Sequence, residues 1–240
     1  TVYEGRKKIL GPDHPQTLYA LSQTGIYLYK TGKLQEALAC CKEAYERSVK
    51  TLGSTHYTTL ARKTSYYQRL GNLGHYQEAA DMAREMYETH TRLNGKRSLS
   101  ALQSCTDLSV YLWNLGRNEE AIRYGLEAYE GRRAYYGEEH AFTLLNMDNL
   151  AHFYGSAGNE TKALEYALQV LKLRRKTLGE NHPSTLTSLH GLALRYWKLG
   201  QSQRALAYGK EAYEKRCAVL GKDHPDTVLS LGNLALFYEG

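Results

Sequence analysis

Six glycines recur at one spacing: Gly11, Gly53, Gly95, Gly137, Gly179 and Gly221, each 42 residues after the last, with no insertion or deletion. A second glycine register runs through Gly32, Gly74, Gly116, Gly158 and Gly200. An alanine register runs through Ala37, Ala79, Ala121, Ala163 and Ala205. Three registers in step along the whole chain leave few folds open. Short units that each contact only their neighbours satisfy them, and a chain wrapped round one central core does not require them.

Each unit carries two helical patterns. In the unit 137–178, Leu144, Met147, Leu150, Ala151 and Tyr154 share one helical face,. Gly158 follows, where a left-handed backbone ends a helix without a Cβ clash. Ala163, Leu164, Ala167, Val170 and Leu171 mark a second face. The spacing predicts helix A over about 140–157 and helix B over about 159–177, and shifts of 42 place the rest,. Residues 1–10 read as the end of a preceding helix B. Five repeats follow at 11–52, 53–94, 95–136, 137–178 and 179–220, and 221–240 reads as helix A of a sixth. Neither end looks like a polar cap, so the pattern reads as a stretch of a longer array.

Small residues occupy two positions where helices A and B cross. Gly25, Ser109, Ala151, Ala193 and Ala235 fill one, with Tyr67 the exception, and Cys41, Ala83, Gly125, Ala167 and Gly209 fill the other. A large side chain there is expected to push the helices apart, at about 1–3 kcal/mol for overpacking. Pro15, Pro183 and Pro225 suit the first turn of helix A. Asp13, Asn181 or Asp223, or the histidine after each, can cap that turn. Ser98 and Ala101 depart from the linker recipe. The junction over 94–101 is therefore expected to exchange its amides faster than 178–185.

At this point the chain resembles a family. The tetratricopeptide-repeat signature reads here as Leu189-x2-Leu192-Ala193-x2-Tyr196, then Ala205-x3-Gly209. The linker Leu220-Gly221-Lys222-Asp223-His224-Pro225-Asp226-Thr227, followed by Asn233-Leu234-Ala235, is similar to the 42-residue kinesin-light-chain type. That type is also found in the C-terminal arrays of fungal and bacterial signalling ATPases of the NB-ARC and NACHT kinds, and the H-P-x-T-L wording at His14 and His182 looks more like those. The resemblance implies an all-α fold, a right-handed superhelical solenoid of helix-turn-helix tetratricopeptide repeats, with helix A lining the concave groove. It implies a non-catalytic scaffold that binds a peptide or protein segment there. The alternative is a ligand-sensing, autoinhibitory repeat domain of a larger NB-ARC or NACHT-type ATPase. An upstream P-loop would favour that alternative, and upstream heptads a kinesin-like adaptor.

The formal charge is +6. Much of it lies at the ends of the B helices, in Arg6-Lys7-Lys8, Arg132-Arg133, Arg174-Arg175-Lys176 and Lys215-Arg216. Cations there complement the helix dipole. Glutamates interleave, with Glu43–Arg47 and Glu211–Lys215 spaced as i,i+4 pairs,. The preferred reading is a solvated ridge. A phosphate- or nucleic-acid-binding stripe is the sharper one, and Ser48 and His90 interrupt it. Nucleic acid is not an expected partner, and no run of about 18 apolar residues suggests a membrane span. The N-terminus shows no signal-peptide pattern. Cys40, Cys41, Cys105 and Cys217 form no metal spacing and are expected as free thiols in a reducing, cytoplasmic compartment. Asn159-Glu160-Thr161 is a sequon expected to be idle there.

Chemistry is hard to find. His14, His56, His140, His182 and His224 share one linker position, which marks them as structural. No metal-protease spacing, local Cys–His pattern or phosphate loop occurs, so no enzyme, metal or cofactor is expected. The candidate peptide-binding residues lie on helix A positions that vary between units: Gln23, Tyr29, Lys30, Asp107, Trp113, Asn114, Asn149, His190, Trp197, Lys198 and Asn233. Both tryptophans share one register. They serve either as exposed anchors or as fillers between neighbouring A helices. In the resembled family an asparagine at the register of Asn149 and Asn233 holds the backbone of an extended peptide; Asp107 and Gly191 depart from it. Lys30, Lys198 and His190 face Asp107 and Asp148, so the groove's charge is mixed. The open array ends also offer packing faces to a second copy.

Overall fold

The structure, a computed structural model, describes residues 1–239. Twelve helices make it up, with no strand among the described residues. They are α1 (Val2–Leu10), α2 (Pro15–Lys30), α3 (Leu34–Leu52), α4 (Tyr57–Asn72), α5 (Tyr76–Asn94), α6 (Leu99–Asn114), α7 (Asn118–Tyr136), α8 (Ala141–Ser156), α9 (Glu160–Leu178), α10 (Pro183–Lys198), α11 (Ser202–Leu220) and α12 (Pro225–Glu239). The expected helices at 140–157 and 159–177 fall within one residue of α8 and α9. The chain forms two compact units, Thr1–Tyr124 and the part from Gly125 onward. In the first, α1 to α6 pack each on the next; in the second, α8 to α12 do so.

The turns are built as the glycine registers require. Gly32, Gly158 and Gly200 sit at φ 79°, 79° and 69° between helices A and B. Every helix A starts on a side-chain cap, and in five of the six a histidine supplies it. Nδ1 of His14, His56, His140, His182 and His224 accepts from the backbone N–H two residues on, at 3.1–3.3 Å. Asp13 does not cap; it pairs with Arg47 at 2.9 Å. Ser98 Oγ takes over the cap at the divergent junction, accepting from Ala101 N at 3.3 Å, and Ala101 is fully buried.

Tyr67, the large residue at the helix crossing, is fully buried, with its hydroxyl donating to Asp107 at 2.8 Å and its ring edge-on to Tyr111. One expectation needs correction: the basic ridge is not solvated throughout. Arg132 and Arg216 are only 3% and 4% exposed, and Arg174 is half-buried. Each reaches 14 residues on, into the next helix A. Arg132 Nη1 donates to Asn146 Oδ1 at 3.0 Å, Arg174 Nη1 to Ser188 Oγ at 2.7 Å, and Arg216 Nη1 to Ser230 Oγ at 2.7 Å. The two interruptions are bonded as well. Arg62 Nη1 donates back to Ser48 Oγ at 2.5 Å, and His90 Nδ1 lies 3.1 Å from Ser104 Oγ. Hydrogen bonds to charged groups contribute roughly 1.5–3 kcal/mol each, so these are junction fasteners. Of the outer cations, Arg175 and Lys215 pair with Glu180 and Glu211 at 2.5–3.0 Å, and Lys176 with Glu139. Glu43–Arg47 and Glu211–Lys215 form as expected, each at 2.8 Å.

Candidate functional site

Helix A presents a face in each unit, and the expected site residues divide between them. In the first unit α2 carries Gln23, Tyr29 and Lys30, and α6 carries Asp107, Trp113 and Asn114. In the second, α8 carries Asn149, α10 carries His190, Trp197 and Lys198, and α12 carries Asn233.

In the first unit the polar groups are largely committed to each other. Asp107 accepts from Tyr67, from Gln68 Nε2 at 3.3 Å and from Gln103 Nε2 at 2.9 Å. Burial, then the Asp107 charge, holds the Tyr67 hydroxyl well above its ordinary pKa. Asn114 Nδ2 donates to Val110 O of its own helix at 2.9 Å. Tyr29 lies beneath the Arg69 guanidinium, 3.8 Å from ring centroid to Cζ. Gln23 and Lys30 are exposed, and Trp113 is half-buried.

In the second unit the structure brings His190 and Asn233 together. Asn233 Nδ2 donates to His190 Nε2 at 3.1 Å, and Ser230 Oγ lies 3.4 Å from Nδ1. An acceptor at Nε2 requires the neutral ring. Burial and the nearby Arg216 hold its pKa below the ordinary histidine value, with Asp226 pulling the other way. Asp148 forms an ion pair with Arg174, although burial holds its carboxyl above the usual range. Asn149 is half-buried. Lys198 is exposed, and Trp197 is 37% exposed with its ring 6.2 Å from Phe237. Trp197 therefore packs on the next helix A and still shows an edge outward.

Sequence reasoning missed what lines these faces from the following unit. Tyr111, Arg195 and Phe237, each 40 residues beyond Gly71, Gly155 and Trp197, lie against them. A Cβ on Gly71 would meet Tyr111 Cε1 at 2.3 Å, and one on Gly155 would meet Arg195 Nη1 at 2.5 Å. The signal was present: each glycine in this register is followed by a large residue at that offset.

Among the described residues no group of His, Cys, Asp and Glu could hold a metal ion, and no helix is long and apolar enough to cross a membrane. None of the four cysteines is joined in a disulfide.

Two family models described as tetratricopeptide repeat match the chain, one over residues 102–176 and 141–218, the other over 17–57. Together they span more than half of it. No curated protein matches significantly. Among solved structures, the chain is similar to a Podosopora anserina protein described as a kinesin light chain with nearly identical TPR-like repeats. Identity there is 25%, over 85% of this chain and 97% of that one, with a TM-score of 0.76. BtubC (BKLC) of P. vanneervenii matches at 20% identity over 93% and 89%, TM-score 0.75. A signal transduction ATPase of Pyrococcus horikoshii with a tetratricopeptide repeat sensor matches at 18% over 93% of this chain, TM-score 0.74; the likeness covers 33% of that protein.

Proposed function

Because the chain belongs to the tetratricopeptide-repeat family, a fold of generally non-catalytic protein-interaction scaffolds, we propose that its helix A faces hold a peptide or protein segment in a concave groove. The observation that carries this is Trp197. It is braced by Phe237 and remains partly exposed, on the helix that also carries His190, which Asn233 already holds. A rigid aromatic anchor on a preorganised face loses little entropy on binding. Asp107 and Asp148 are engaged, whereas Lys30 and Lys198 project outward. The test is selection from a displayed peptide library, followed by titration of the selected peptides against wild type and Trp197→Ala. A Trp197→Ala variant that melts like wild type and binds at least about tenfold more weakly, roughly 1.4 kcal/mol, supports the groove. Unchanged binding removes Trp197 as an anchor. A large fall in melting temperature marks it as a packing residue.

The second reading is the sensor array of a larger NB-ARC or NACHT-type signalling ATPase. Its support is the likeness to the Pyrococcus horikoshii repeat sensor. There, ligand on the array would shift a population between held and released states. Fusion to a nucleotide-binding domain with ligand-dependent ATP turnover would favour it, and turnover indifferent to the array would end it.

A further inference from the structure

The second unit holds an open cavity of about 480 Å³ between α7 and α9, lined in part by Leu126, Tyr129, Glu130, Lys162, Glu165 and Tyr166. Its centre is a tyrosine pair, Tyr129 and Tyr166, edge to face with centroids 6.1 Å apart at 86°. The first unit contains the same pair 42 residues earlier: Tyr87 and Tyr124 stand 5.9 Å apart at 78°. There the chain supplies its own occupant. The Arg84 guanidinium lies over the Tyr124 ring, 5.5 Å from its centroid. Its Nη1 donates to the Tyr124 hydroxyl at 2.8 Å, and Nη2 lies 3.5 Å from Glu120 Oε2.

In the second unit the register of Arg84 is Leu126, which ends short of where a guanidinium would sit. Two neighbouring charges are exchanged: Glu120 and Arg123 of the first unit correspond to Lys162 and Glu165. Lys162 lies over the Tyr154 ring, 5.0 Å from its centroid. Glu165 and Glu130 stand at the cavity, and Arg133 also lines it, close to Tyr129. Burial, followed by neighbouring tyrosines and these two carboxylates, pushes the Tyr166 hydroxyl up to about 12.

We infer that this cavity receives an arginine side chain from a partner protein, in the place that Arg84 fills from within the chain at the preceding tyrosine pair. A planar guanidinium stacks on an aromatic face and can bond a hydroxyl and a carboxylate together; a lysine ammonium does this less well. The site is lined by B helices, and does not depend on the groove proposed above.

The probe is Nα-acetyl-arginine amide, titrated against the tyrosine-ring resonances, with the citrulline analogue as its uncharged counterpart. Expected are saturable shifts at Tyr129 and Tyr166 with the arginine probe, at least about tenfold stronger than with citrulline. Leu126→Arg should rebuild the Arg84 arrangement, keep the melting temperature, and weaken probe binding at least about tenfold. Glu165→Lys, an exposed position, should weaken it too, and serves alone if Leu126→Arg does not fold. Non-saturable shifts, equal shifts with citrulline, or undiminished binding in a folded variant would overturn the proposal.

Discussion

In the unit from Gly125 onward, helix B sends an arginine into the next helix A three times: Arg132 to Asn146, Arg174 to Ser188 and Arg216 to Ser230. The unit Thr1–Tyr124 keeps an arginine at its first junction, where Arg6 Nη1 donates to the Gln16 carbonyl at 3.2 Å, and fastens the other two differently. Ser48 receives Arg62 from the opposite side, and His90 faces Ser104. These five junctions keep one long donor or ring and one short polar partner, but not the direction in which they are arranged. At a buried polar site the physical requirement therefore falls on the pair: a satisfied bond and a filled volume. The arginine missing at Ser48 is matched by Arg62, 14 residues later.

The sharpest way to break this comparison is Ser48→Arg. It sets a second guanidinium against Arg62 at a site that Ser48 occupies fully buried. A buried charge without a partner costs about 3–5 kcal/mol, so urea unfolding should show a loss of that order. Adding Arg62→Ser turns the pair into the second unit's form and should recover most of it. A double variant no more stable than the single one would mean that direction is fixed by context, and the pair rule would fail.

A smaller effect separates Gly71 from Gly155, which hold one register in the two units. At Gly71 an added Cβ meets the Tyr111 ring itself; at Gly155 it meets the far end of the Arg195 side chain. A packed ring cannot move aside, whereas a guanidinium can swing. Gly71→Ala should therefore cost about 1–3 kcal/mol, and Gly155→Ala under about 1 kcal/mol, both read from calorimetric melting. Equal costs would mean that Arg195 is as firmly held as Tyr111.

The smallest effect is a pH dependence confined to the first unit's histidine junction. Burial lowers the His90 pKa below its ordinary value of 6.5, against a hydrogen bond that the ring donates to the Ser100 carbonyl. Below pH 6.5 the unfolded chain takes up the proton before the folded one, so stability falls as pH drops through that window. Above it His90 is neutral in both states and contributes no slope. His90→Arg, which copies the Arg174–Ser188 pair, should remove that part of the slope. An unchanged slope would place the titration elsewhere, with His190 the next group to replace.

How much of this was legible in the sequence follows from the range of each requirement. A positive φ is a demand of one residue on its own backbone, so Gly32, Gly158 and Gly200 announced the turns without any partner. Amphipathic spacing is a demand within one helix, and it placed α8 and α9 to within a residue. The tetratricopeptide-repeat family and the all-helical fold followed from these local rules repeated at a fixed interval. The histidine register was visible, but not which of its neighbours would cap the helix, because that depends on a χ angle and not on spacing.

The tertiary structure decided what depends on two helices at once. It turned Arg132 and Arg216 from ridge residues into buried fasteners, paired His190 with Asn233, and engaged Asp107 and Asp148. It left the tyrosine pair at Tyr129 and Tyr166 open where its counterpart is covered by Arg84. Each of these depends on the reach of a side chain across a contact between elements. The sequence by itself determined the repeat, the turns and the helices, since those are satisfied within about four residues of backbone. Which polar groups bond one another and which face outward is settled only when the helices stack, because only then does burial make an unpaired group costly.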